Sequence, residues 1–182
     1  MFRQPAFGIA LSTLVLASGL MNAPITGQPF TEETTPNQPL LIPSSQAATL
    51  TTKFDTNALE KSVFDDINRY RVTHNLPKLT LNANITQQAR IHSQNMANGK
   101  VPFSHNGFEQ RVTAIPLRYN NASENVAVNR GYSNPASQAV TGWLESPGHL
   151  KNIQGNFNLT GIGVAANKKG EVYLTQIFIS TR

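Results

Sequence analysis

The chain has 182 residues, 39% apolar and 14% charged, so one domain with a sizeable core fits and the balance argues against bulk disorder. It has no cysteine, which removes thiol catalysis, disulfides and cysteine-based zinc sites and leaves His, Asp and Glu as metal ligands. The net charge of +5 favours anionic partners in general. Beyond Lys168-Lys169, however, there is no basic run and no aromatic–basic interleaving, so nucleic acid is not an expected partner.

At the N-terminus, Arg3 precedes an apolar run from Ala6 to Leu20. The run is shorter than the ~20 residues of a comfortable membrane span and has the form of a secretory signal. Residues 1–23 are therefore read as a signal peptide or, if uncleaved, an N-terminal anchor. In the second case they are the chain's one expected membrane contact. Ala17-Ser18-Gly19 and Met21-Asn22-Ala23 both offer small residues for cleavage, and Pro24 counts against the second. The expected address is secreted or extracytoplasmic: periplasm or cell envelope.

Over residues 24–54 the composition shifts. Five of the eleven prolines (Pro24, Pro29, Pro36, Pro39 and Pro43) lie there among Thr, Gln, Ser and Asn, the pattern of a disordered linker. The folded domain is expected over 55–182. Asn57 with Glu60 forms a candidate capping box, ahead of Leu59, Val63, Ile67 and Tyr70 at helical spacing. That helix should stop before Asn75-Leu76-Pro77. A second should follow Asn82, with Ile85, Ala89, His92 and Met96 on one stripe and Gly99 as its stop.

Further on, Glu124 to Val128 is a strand candidate. Asn134-Pro135 predicts a capped helix through Val140, Trp143 and Leu144. Pro147 should break it, with Ser146 capping a short further helix. The β-branched segments Gly161–Ala166 and Val172–Ile179, joined by Asn167-Lys168-Lys169-Gly170, read as a hairpin. Three or four helices with a small, mainly antiparallel sheet give an α+β layered domain.

The four histidines differ in setting. His74 falls at a helix end, where capping is the default, and His92 falls on an apolar stripe, where a satisfied core histidine is expected. His105, in Phe103-Ser104-His105-Asn106-Gly107, can face a cleft as readily as solvent. His149 follows Glu145 by four residues across the Pro147 break, so the two can approach at a bend. The spacing is not that of a zincin helix. Ser104, Ser123 and Ser146 adjoin these positions, but none lies in a nucleophile elbow, so a serine hydrolase is not expected.

His105-Asn106, Ser123-Glu124-Asn125-Val126-Ala127, Trp143-Leu144-Glu145-Ser146-Pro147-Gly148-His149 and Gly161-Ile162-Gly163-Val164 occur in that order. Ser146 to Ile153 is the most specific piece, and Thr175-Gln176-Ile177-Phe178 has the form of a closing strand. Together they resemble the CAP superfamily (cysteine-rich secretory proteins, antigen 5 and pathogenesis-related 1) in its disulfide-free bacterial SCP-like form. The resemblance covers roughly Leu59 to Phe178. It implies a three-layer α–β–α sandwich with a cleft holding two histidines and two acidic residues, by position His105, Glu124, Glu145 and His149. The eukaryotic C-terminal cysteine signature is absent, so animal and plant roles are not carried over.

Such a cleft has two physical readings. His105 and His149 can hold zinc or another divalent cation, with the glutamates as acceptors that fix the ring tautomers. Alternatively, a His–Glu hydrogen-bond network simply ties the layers together. Three functions follow. The first, preferred over an enzyme, is an exported module binding a small molecule, lipid, glycan or peptide. The second is a metal-dependent, protease-like hydrolase using the same four residues. The third is a structural or interaction module of the cell envelope.

Overall fold

The computed structural model describes residues 54–181; the expected leader, and the linker up to residue 53, lie outside the described residues. The elements follow in the order α1 (Thr56–Thr73), β1 (Thr80–Leu81), α2 (Ala83–Ala97), α3 (Phe108–Thr113) and β2 (Asn121–Arg130). Then come α4 (Pro135–Glu145), α5 (Pro147–Gln154), β3 (Leu159–Ala166) and β4 (Glu171–Ser180).

Local chemistry explains most boundaries. Asn82 caps α2, its side chain accepting from the Asn84 and Ile85 amides, and Gly99 leaves that helix region at φ +69°. Asn134 caps α4 through the Ser137 amide at 3.1 Å, with Pro135 as the first helical residue. Pro147 opens α5 as expected, and Ser146 holds the cap position, but its hydroxyl makes no capping bond. His74 is the C-cap of α1, with Nδ1 on the Tyr70 carbonyl at 2.8 Å and its ring stacked on Tyr70.

One cap differs from expectation. Asp55, not Asn57, caps α1, accepting from the Asn57 and Ala58 amides at 3.0 and 3.1 Å. Glu60 is instead buried, where it takes Arg90 Nε at 2.8 Å and the Val164 amide at 3.2 Å. A carboxylate with a guanidinium and a strand amide to satisfy it has no need of the helix terminus.

The sheet order is β1-β3-β4-β2, with β1 parallel to β3 and the other pairs antiparallel. The period-2 alternation of β4 puts Leu174 and Phe178 on one face, in a core with Val63, Ile67, Trp143 and Ile153 from α1, α4 and α5. Ile177 and Ile179 point the other way, into a core with Ile85, Ala89, Phe108 and Val112 from α2 and α3. Helices thus cover both faces, which is the three-layer α–β–α sandwich. Between layers α2 and β3, Gly161 and Gly163 let backbone meet backbone.

Candidate functional site at the outer strand

Glu124 lies mid-strand in β2, paired with Ile177, on the sheet face covered by α2 and α3. Its side chain is about 1% exposed, so the carboxylate needs partners. It has two. His105 Nδ1 donates to Oε1 at 3.0 Å. Arg111 of α3 straddles both oxygens, Nη2 on Oε1 at 2.7 Å and Nε on Oε2 at 3.0 Å. Arg111 also reaches back to the loop that carries His105, with Nη1 on the Asn106 carbonyl at 2.8 Å and Nη2 on the His105 carbonyl at 3.4 Å.

The expected core histidine is there. His92 is buried on α2, and its Nε2 donates to the Ser104 carbonyl at 2.9 Å, holding the residue next to His105. Burial and, after it, the Arg111 charge hold His92 below the ordinary imidazole range, against the smaller opposing pull of Glu124.

His149 comes from the other side of the strand. Asn125, on the opposite face of β2 from Glu124, donates Nδ2 to the His149 carbonyl at 3.2 Å. Asn152, one turn further along α5, donates to Asn125 Oδ1 at 2.8 Å and to the Glu124 carbonyl at 3.2 Å. Trp143 of α4 donates its indole N–H to the Val126 carbonyl at 3.0 Å. The histidine therefore sits in the first turn of a helix pinned to β2 by two asparagines. Burial first, and the nearby His105 charge second, push its pKa down to about 4, so the ring is neutral at pH 7. Its Nδ1 is buried with no hydrogen-bond partner. A cavity of about 30 Å³ beside it, lined by Asn129, Gln138 and Trp143 among others, has room for a water-sized group.

Of the four expected cleft residues, the structure joins His105 to Glu124 directly and sets His149 near enough to feel the charge of His105. Glu145, the last residue of α4, is exposed and makes no hydrogen bond or ion pair among the described residues. Among the described residues, no three His, Asp or Glu side chains converge in a way that could hold a metal ion. The described residues thus supply no three-ligand protein site, and any cation there would need water to complete its shell. Asn125 and Asn152 fall inside the segments that carry the family resemblance. Arg111 does not, and a lone arginine in a six-residue helix gave no local signal of its role.

The family model for cysteine-rich secretory proteins, CAP, matches residues 64–178. The chain belongs to the CAP family. Lacking cysteine, it carries the CAP fold with no disulfide. This CAP chain is 35% identical over 125 residues to the uncharacterised membrane protein YlbC of Bacillus subtilis (strain 168), covering 66% of the chain and 34% of that protein. It is 33% identical over 129 residues to the uncharacterised protein YkwD of the same strain, covering 68% and 48%. The chain thus spans only a third to a half of the length of these relatives.

Among solved structures, an extracellular SCP-domain protein of Bacillus anthracis str. Ames matches with a TM-score of 0.58 and 30% identity, covering 69% of this chain and 41% of that one. An outer surface protein of Borrelia burgdorferi matches with a TM-score of 0.63 at 18% identity, over 71% and 97%, a likeness of fold. No helix among the described residues is long and apolar enough to cross a membrane.

Proposed function

We infer that this CAP domain works outside the cytoplasm as a binding module, its ligand meeting the cleft through the imidazoles of His105 and His149. The observation that carries this reading is the buried, unpartnered Nδ1 of His149. Leaving such a group unpaired costs roughly 1–3 kcal/mol, and a ligand hydroxyl, amide or cation entering beside it supplies the missing partner. The extracytoplasmic address draws support from the extracellular Bacillus anthracis protein. The ligand class remains that of a small molecule, lipid, glycan or peptide bearing a small polar group.

A divalent transition cation such as zinc is one such partner. His149 is already neutral, and Glu124 accepts the proton of His105 Nδ1, leaving Nε2 as the free donor atom. A carboxylate behind a ligating histidine is the usual arrangement around bound zinc. The cation would polarise a bound oxygen. The hydrolase alternative has less support, because Glu124 is held by Arg111 and Glu145 stands exposed, so neither glutamate is set as the general base that reading needs.

Calorimetry of the full chain with zinc tests the cation component. The wild type should take up zinc in the micromolar range, and His105→Ala and His149→Ala should each lose it. No uptake by the wild type defeats this component. A panel of peptides, esters and glycans should stay intact with zinc present; turnover of any of them replaces the binding module with the hydrolase.

A further inference from the structure

The deepest charged group of the site is Glu124, and what it can do depends on which of its lone pairs are free. Oε1 accepts from His105 Nδ1 and from Arg111 Nη2, and Oε2 accepts from Arg111 Nε. The fork of Arg111 is matched to a carboxylate in a way an ammonium is not. The same side chain, about 10% exposed, grips the carbonyls of His105 and Asn106. One arginine therefore fixes both the acceptor of the His105 ring and the backbone that carries the ring.

We propose that Arg111 is the positioning residue of the cleft: by holding both oxygens of Glu124 and the His105–Asn106 backbone, it sets His105 as the Nδ1–H tautomer with an open Nε2. This rests on the binding reading above and deepens it. With the guanidinium pairing the carboxylate, both oxygens of Glu124 are already engaged, and what the two rings turn to an incoming ligand is nitrogen. Ring nitrogens suit transition cations and hydrogen-bonding groups better than calcium or magnesium, which need oxygen ligands.

Three facts separate this role from plain scaffolding. Arg111 and Glu124 come from different elements, 13 residues apart in the chain, so no local geometry requires the pair. His92 also ties down the His105 loop, through Ser104, so the loop does not depend on Arg111 alone. His105 Nε2 has no protein partner among the described residues, so the ring has no second bond that would choose its tautomer.

The test is a ring-nitrogen NMR correlation spectrum of the 15N-labelled full chain without added metal, with His105 assigned through His105→Gln. In the wild type His105 should give a single pattern, Nδ1 protonated and Nε2 bare. In Arg111→Gln it should become a mixture of the two tautomers, while the Trp143 indole signal, reporting the bond to Val126, stays in place. Arg111→Lys keeps the charge without the fork and should also give a mixture. A single Nδ1–H tautomer in either folded variant overturns the proposal, and the lysine variant decides alone if the glutamine variant does not fold. Because the spectrum is taken without metal or ligand, its outcome is independent of whether zinc or any other ligand binds.

Discussion

Gly163 backs onto Arg90 so closely that a Cβ on the glycine would lie 2.1 Å from the Arg90 amide nitrogen and 2.2 Å from the Ala89 carbonyl carbon. Gly161 stands in the same relation to Thr86, at 2.2 Å from its amide nitrogen. Helix α2 is thus seated on bare backbone of β3, and Ser93 locks it there by donating to the Gly163 carbonyl. Gly163→Ala must push the helix outward. The expected cost is about 1–3 kcal/mol, as for other overpacked cores, read as a lower urea midpoint with an unchanged slope. Stability equal to wild type would mean that α2 has slack at this contact.

Arg71 tests a different kind of dependence. Fully buried, it gives Nε to the Pro77 carbonyl at 2.8 Å, Nη1 to Ile153 and Gly155 at 2.6 and 3.0 Å, and Nη2 to Phe157 at 3.2 Å. No carboxylate pairs with it among the described residues, and burial lowers its pKa. Its worth lies in four carbonyls: Pro77 in the α1–β1 loop, Ile153 in the last turn of α5, and Gly155 and Phe157 in the segment after it. Arg71→Met should cost on the order of 3 kcal/mol, because those acceptors lose their donor. Arg71→Lys should restore little of it, since an ammonium cannot span the set. Full stability of the lysine variant by thermal unfolding would refute this.

His149 gives the fold a dependence on acid. Its folded pKa of about 4 lies below the ordinary 6.5, so the folded state holds the neutral ring and the unfolded chain takes the proton first. The stability is fully present above pH 6.5 and falls as the pH drops from 6.5 to 4, by up to about 1.4 kcal/mol per pH unit. His92, depressed for the same main reason, acts in the same direction. Urea titrations at several pH values should show this slope in the wild type and a shallower one in His149→Gln. Parallel slopes would show that His149 titrates normally in the folded protein.

Much of the fold was legible because it is written locally. Asn82, Asn134 and Pro147 announce three helix starts by cap chemistry, and the β3–β4 hairpin follows from two β-branched runs around Asn167–Gly170. The strand around Glu124 was visible at its apolar centre, but its full reach, Asn121–Arg130, is decided by pairing with β4. Two elements had no local mark. The six residues of α3 follow Gly107 with no side-chain cap, and the two of β1 exist as a strand only through their pairing with β3. The site divides in the same way. His105, Glu124 and His149 could be located through family resemblance, whereas Arg111 shows its role only where α3 meets β2. Glu145 has the right residue type at the right position, yet its side chain lies in solvent.

The bonds that pin α4 and α5 to β2 have a consequence beyond the cleft. An outer strand with free backbone groups is a template on which a strand of another molecule can add. On β2 the carbonyls of Glu124 and Val126 are already taken by Asn152 and Trp143. Loosening these two side chains would unseat His149 and, by the same stroke, open the sheet to edge-to-edge association. The side chains that seat α4 and α5 on β2 thus also occupy part of the outer edge of the sheet.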